Sequence, residues 1–184
     1  ISNSGIPIRQ LYLPNGSLEE KLLVTSGHYF GTYDLVTQKI DHLFNSLDKE
    51  DARRVFHIFH EDYQGRFWVG TLHGLFQYFP DQDSIHANNL GIPALSNRVE
   101  EIRNLPNGAL LFGTRGAGLI YYTADTTYSI TSSNGLASDM IRDIEVTDNG
   151  IVWVATLTGL SRIHFGPDDL IEDLRTFQIP HGLP

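Results

Sequence analysis

Short runs of β-branched and aromatic residues alternate with polar, glycine-bearing turns along most of this chain, and the runs return in a fixed order. Val55, Ile58, Val99, Ile102, Ile141 and Ile144 stand just ahead of polar turns holding Gly65, Gly108 or Gly150, the pattern of first strands entering hairpins. After each turn come Phe67-Trp-Val-Gly-Thr71, Leu110-Leu-Phe-Gly-Thr114 and Val152-Trp-Val-Ala-Thr156, whose period-two character predicts second strands. A glycine turn then leads into Gly74-Leu-Phe-Gln-Tyr78, Gly118-Leu-Ile-Tyr-Tyr122 and Gly159-Leu-Ser-Arg-Ile163, followed by a weaker fourth run near Ser84-Ile-His86, Tyr128-Ser-Ile130 or Arg175-Thr-Phe177. No unit carries a stretch with helical period long enough for a helix pair; only Asp168 to Leu174 reads as locally helical.

The order is a repeat. Gly65, Gly108 and Gly150 stand 43 and 42 residues apart, and Thr71, Thr114 and Thr156 give the same two intervals. A worn copy runs from Pro14-Asn15-Gly16 through Lys21 and Ser26 to Tyr33, with Leu23 where Trp68 and Trp153 stand and a longer turn. Gly5-Ile-Pro7, Gly91-Ile-Pro93, Gly135-Leu136 and Gly182-Leu-Pro184 mark the unit boundaries. The chain therefore divides into a degenerate unit at 1–54 and further units at 55–98, 99–140 and 141–184. Four-stranded repeats of this length predict an all-β chain of four β-propeller blades of about 43 residues, with no helix longer than two turns. The closing Gly182-Leu-Pro184, at the phase of a next unit, suggests a piece of a longer array whose open ends favour self-association or a homodimer.

Within the repeat, Gly70, Gly113 and Ala155 are expected where a neighbouring strand or blade comes close, and Trp68 and Trp153 are expected to pack between blades. Thr71, Gly74, Thr114, Gly118, Thr156 and Gly159 complete the repeated structural set.

Composition narrows the function. A net charge of −9 and a pI near 5.2 argue against a surface for nucleic acid or anionic lipid. No run approaches the roughly 20 apolar residues of a membrane span, so no membrane contact is expected of this segment. The chain starts at Ile1 without an export-signal pattern, so any such signal is expected to have been removed or to lie upstream. With no cysteine, disulfides, thiolate zinc sites and a cysteine nucleophile are excluded, while cytosol and periplasm both stay open.

The pattern Asp-x-x-Gly-x-x-Trp-Val-(Gly/Ala)-Thr-x-x-Gly-Leu, with Ile-x-x-Ile ahead of it and steps such as Asn134-Gly-Leu136, resembles the two-component regulator propeller repeat. The likeness is strong at 55–78 and 141–163, partial at 99–122 and poor at 8–33. It implies a seven-bladed ring, often one of two in tandem, in the periplasmic sensor region of a hybrid histidine kinase that detects oligosaccharides, as in Bacteroides-like gut bacteria. The kinase domains would lie outside this chain. Two other families are weighed beside it. The sialidase Asp box fails because Phe67 replaces its Thr, and streptogramin-lyase-like propellers share a similar Trp strand but need a His and acidic constellation that these loops do not display. A protein-interaction scaffold and a streptogramin-lyase-like propeller enzyme stay open as alternatives.

Few residues suggest chemistry. His57 and His60, three apart in a strand, are expected to point to opposite faces and so not to chelate one ion. Asp62 and Asp148 are read as occupants of one repeated turn position, where Asp favours the turn, rather than as a carboxylate pair for glycoside hydrolysis. There is no nucleophile elbow, phosphate loop or dinucleotide fingerprint, and Arg115-Gly-Ala-Gly118 is a lengthened glycine-rich turn. No catalytic residue, cofactor or metal is expected. In propellers the second-to-third-strand turns and the blade connections open on one face, which here gathers His28, His73, Arg115 and Thr158 with Arg54, Asn97, Arg98 and Asp139. His73, Arg115, Asn97, Arg98 and Asp139 are the candidate contacts for an oligosaccharide or other small ligand, since planar amides and guanidinium forks suit hydroxyls and carboxylates.

Overall fold

The structure, a computed structural model, describes residues 10–13, 21–45, 55–82 and 84–178, with backbone alone at 41–45. Among the described residues, sixteen strands form four separate sheets, each an antiparallel meander in which every strand pairs with its sequence neighbour. Blade 1 holds β1 (Gln10–Tyr12), β2 (Lys21–Ser26), β3 (Tyr29–Asp34) and β4 (Lys39–Asn45). Blade 2 holds β5 (Phe56–Glu61), β6 (Phe67–Thr71), β7 (Gly74–Phe79) and β8 (Ser84–Ala87). Blade 3 holds β9 (Val99–Asn104), β10 (Leu110–Thr114), β11 (Leu119–Tyr122) and β12 (Thr127–Ile130). Blade 4 holds β13 (Ile141–Val146), β14 (Val152–Thr156), β15 (Leu160–Phe165) and β16 (Ile171–Phe177). The helical segments among the described residues are three short 3-10 turns, at Pro80–Gln82, Pro93–Ser96 and Ser132–Asn134.

Blades stack in one repeated way. The first strand of each blade packs against the first and second strands of the blade before it: β5 on β1 and β2, β9 on β5 and β6, β13 on β9 and β10. First strands thus adjoin one another as a common wall, the arrangement of a propeller. Three apolar layers fill the junctions. Leu23 and Phe30 meet Phe56, Phe59, Phe67 and Val69; Ile58, Trp68 and Leu75 meet Val99, Ile102 and Phe112; Leu111, Leu119 and Tyr121 meet Ile141, Ile144, Val152 and Val154. Gln10 adds a polar clamp from blade 1, donating to the Phe59 carbonyl at 3.0 Å and accepting from the Phe59 N–H at 2.6 Å.

The repeated residues have physical jobs. Thr71, Thr114 and Thr156 each donate a hydroxyl hydrogen bond, at 2.8–2.9 Å, to the carbonyl of Gly74, Gly118 or Gly159, closing the second-to-third-strand turn. A Cβ on Gly70 would lie 2.8 Å from the Val99 carbonyl oxygen, and one on Gly113 would lie 2.7 Å from Ile141 Cγ2, so both glycines let the next blade's first strand come close. Trp68 is fully buried, edge-on to Phe112 of blade 3 at 6.3 Å, with its ring N–H donated to Asp62 Oδ2 at 2.8 Å.

Trp153, at the same repeat position, is half-buried against Phe177 of its own sheet at 5.9 Å. One expectation needs correcting. Residues 168–174 are not helical. Gly166 N–H donates to the Leu170 carbonyl and Asp169 sits at φ 63°, a left-handed turn that breaks helical continuation and starts β16 in register with β15. The boundary residues Gly5 and Gly182-Leu-Pro184 lie outside the described residues.

Candidate ligand face

Main-chain hydrogen bonds show how the candidate face is assembled. At each junction the second-to-third-strand turn is tied to a connection between blades: Phe56 N–H to the Gly27 carbonyl, Leu72 to Val55, Arg115 to Arg98, Gly116 and Gly118 to Asp139, and Leu157 to Met140. Thr158 adds a hydroxyl bond to the Ala137 carbonyl at 2.8 Å. The two loop sets thus form one rim.

On that rim the structure brings Arg98, Arg115 and Asp139 together around the blade 3 turn. Glu100, which sequence reasoning missed, organises the arginines: its carboxylate lies 2.5 Å from Arg115 Nε and 2.9 Å from Arg98. Glu100 can do this because it is a bulge. Val99 pairs with Thr114 and Glu101 with Gly113, so Glu100 is the extra residue and leaves the alternation of its strand. The same irregularity falls at His57 and at Arg142, so the alternation from which opposite faces were expected for His57 and His60 is interrupted at His57. The Asp139 carboxylate accepts from the Ser132 N–H at 2.6 Å and its hydroxyl at 3.1 Å, and so supports the connection rather than pointing free. Asn97 caps the 3-10 turn through its amide, donated to the Ala94 carbonyl at 3.0 Å. His73 is exposed on the matching turn of blade 2, with no hydrogen bond or ion pair to the arginines. Arg54 lies outside the described residues.

Below the rim, the wall of first strands holds buried polar groups. Glu101 of β9 is paired with Arg103, whose guanidinium also donates to the Ile102 carbonyl at 2.9 Å and stands 3.9 Å from Asp143 of blade 4. Burial, partly offset by Arg103, pushes the Glu101 carboxyl up to about 7. Burial also holds His60, beside Asn104, below the usual histidine range. No group of three or more metal-ligating side chains is gathered among the described residues.

The opposite face carries the first-to-second-strand turns, and here the shared turn position read for Asp62 and Asp148 needs correcting. Gly65, Gly108 and Gly150 donate to the carbonyls of Asp62, Leu105 and Thr147, so these three residues are the true equivalents and Asp148 is offset by one. Their side chains differ accordingly. Asp62 accepts from the N–H groups of Gln64 and Arg66, the Arg66 guanidinium and Trp68. The Thr147 hydroxyl accepts from the Ile151 N–H at 3.0 Å and bonds within its own turn to Asn149 Oδ1 and the Ile151 carbonyl, and Asp148 is left exposed. Among the described residues, clefts on this face include one of about 240 Å³ beside Arg66 and Gln77 in blade 2 and one of about 360 Å³ between blades 3 and 4.

No protein-family model and no curated protein matches the chain. Solved structures do. The extracellular domain of a hybrid two-component system of B. thetaiotaomicron, BT3049, aligns with TM-score 0.76 and 23% identity over 96% of this chain and 24% of that one. A second such domain, BT4673, gives 0.68 and 17% over 93% and 24%. Virginiamycin B lyase from Staphylococcus aureus gives 0.67 and 14% over 98% and 58%. The fold is that of a β-propeller. The propeller chain spans about a quarter of each of the two sensor-system domains, which are of the kind that the two-component regulator repeat leads one to expect.

Proposed function

We propose that this propeller segment is a non-catalytic ligand-sensing part of a two-component regulator, on the periplasmic side of the membrane, responding to an oligosaccharide. The observation that carries the reading is the alignment of 96% of the chain with the extracellular domain of a hybrid two-component system. The repeat motif and the paired arginines on the rim support it. In this reading the chain belongs to a longer protein with kinase domains, and a further blade, or a second copy, covers the half-buried Trp153 and Leu160 of blade 4. The ligand meets the Arg98–Glu100–Arg115 rim, where Glu100 holds both guanidinium forks ready while leaving N–H donors over for ligand hydroxyls or carboxylates.

A glycan-binding screen of the chain, run beside a pull-down from the same extract, tests the reading. The expected result is a saturable glycan whose binding Arg115→Ala weakens by about 1.5–3 kcal/mol, the range of a charged hydrogen bond. Retention of a protein with no glycan bound favours an interaction scaffold, and turnover of a bound compound favours the lyase-like alternative. Either result overturns the sensor reading.

A further inference from the structure

The larger cleft between blades 3 and 4 is built from residues far apart in sequence and is fixed by bonds that only the folded chain makes. Asn107, on the first-to-second-strand turn of blade 3, donates its amide to Asp169 Oδ1 at 2.8 Å and to the Tyr121 hydroxyl at 2.9 Å. The Tyr128 hydroxyl donates to the Asp169 carbonyl at 2.5 Å, Tyr121 and Tyr128 are stacked at 5.0 Å, and Tyr121 meets Phe165 at 5.0 Å. The turn after β15 is thereby latched onto blade 3, and the space between is a cleft with a set shape.

The lining has two parts. Leu105, Pro106, Phe165 and Pro167 make an apolar floor, while Asp148, Asn149 and His164 supply polar groups at its edge. The Asn149 amide oxygen already accepts from the Thr147 hydroxyl at 2.6 Å, which leaves its NH₂ as a donor. His164 lines the cleft and holds Nδ1 3.0 Å from the Glu172 carboxylate, which leaves Nε2 as its second polar atom, and the exposed Asp148 carboxylate is an acceptor. At about 360 Å³ the cleft falls at the small end of ligand sites.

Charge and hydrogen bonding choose among ligands. No Lys or Arg lines the cleft, and Asp148, with Asp168, Asp169 and Glu172 on the neighbouring turn and strand, makes the region acidic, so an anion is repelled. An ammonium group matches Asp148 but leaves the Asn149 donor without an acceptor. A hydroxyl both donates and accepts and so satisfies a rim of mixed polarity, while the C–H face of a ring covers the apolar floor. We infer that this cleft is a binding subsite for one uncharged, polyhydroxylated ring, a neutral sugar residue, on the face opposite the arginine rim. It shares sugar chemistry with the sensor reading but stands on separate residues and does not require that reading.

The test uses the full chain, ¹⁵N-labelled, titrated with a panel of neutral mono- and disaccharides, with galacturonate and ethanolamine as charged controls. At least one neutral sugar is expected to give saturable amide shifts at 105–108, 147–150 and 164–167. Asp148→Ala and His164→Ala each weaken that binding about tenfold, the effect of losing a charge-assisted or comparable hydrogen bond, whereas Arg115→Ala leaves it unchanged. Galacturonate or ethanolamine binding as strongly as the best neutral sugar overturns the assignment. So does the absence of any shift in the cleft at about 50 mM sugar, well above the millimolar dissociation constants of weak ligands. Sugar binding that depends on Arg115 alone overturns the cleft and leaves the sensor reading standing; binding that depends on Asp148 and His164 alone does the reverse for the arginine rim.

Discussion

Replacing Glu101 with Gln removes a buried titrating group and should change how stability follows pH. Glu101 is 8% exposed and faces Arg103 on its own strand and Asp143 on the first strand of blade 4. Its folded pKa is raised from 4.5 to about 7, chiefly by burial. From pH 4.5 to 7 the unfolded chain gives up this proton while the folded chain keeps it. The folded state then binds more protons, so stability falls as pH rises through that window and stays reduced above it. The gap between the two pKa values corresponds to about 3 kcal/mol at about 1.4 kcal/mol per unit. Gln is isosteric with the protonated acid and neutral throughout. Wild type and Glu101→Gln should therefore unfold alike in denaturant at pH 4.5, and above pH 7 the variant should be more stable by up to about 3 kcal/mol. His60 works in the opposite direction, because its lowered pKa costs stability as pH falls below the usual histidine range. Being present in both proteins, it cancels in the difference. Parallel stability curves from pH 4.5 to 8 would refute the assignment of a buried, proton-holding carboxyl.

Three further outcomes follow from the packing. Trp68→Ala should cost about 3–5 kcal/mol in denaturant unfolding, whereas Trp153→Ala, at the same repeat position but half-buried, should cost under half of that; equal costs would contradict the blade order. Gly113→Ala should destabilise by about 1–3 kcal/mol, because the new methyl meets the β-branched Ile141 of the next blade; thermal melting checks it. Arg115→Ala should change stability by less than about 1 kcal/mol, as the partly exposed pair with Glu100 contributes little to folding; a larger loss would make Arg115 part of the scaffold rather than of a ligand surface.

Much of the architecture was legible because it is written in turn chemistry. Gly65, Gly108 and Gly150 recur with Thr71, Thr114 and Thr156, and each residue serves a hydrogen bond or a backbone conformation that any copy of the unit requires. What sequence spacing could not give lies where this regularity is interrupted. Glu100 was passed over because a bulge shifts it out of the alternation, and the only trace of it is the pair of acidic residues Glu100 and Glu101 in an otherwise apolar strand opening. The match of Asp62 with Asp148 does not hold because the turns are of equal length and Asp148 stands two residues before its glycine, whereas Asp62 stands three before, which leaves Thr147 in the hydrogen-bonding position. The cleft between blades 3 and 4 depends on Asn107 meeting Asp169, 62 residues later, a contact with no local signature.

Because each sheet is built from four strands consecutive in the chain, the fold has a direction in time as well as in space. Each sheet closes through short hairpins, and the bonds between blades join neighbouring units: 49 residues from Gln10 to Phe59, 43 from Glu61 to Asn104 and 62 from Asn107 to Asp169. No sheet among the described residues waits for a distant strand, so contact order is low for an all-β chain and closing each hairpin costs little loop entropy. A nascent chain can complete blade 2 and seat Phe59 against blade 1 before blade 3 has been synthesised. Each finished blade then presents a formed apolar surface on which its successor condenses, and synthesis from the N-terminus supplies those successors in the order in which the surfaces appear.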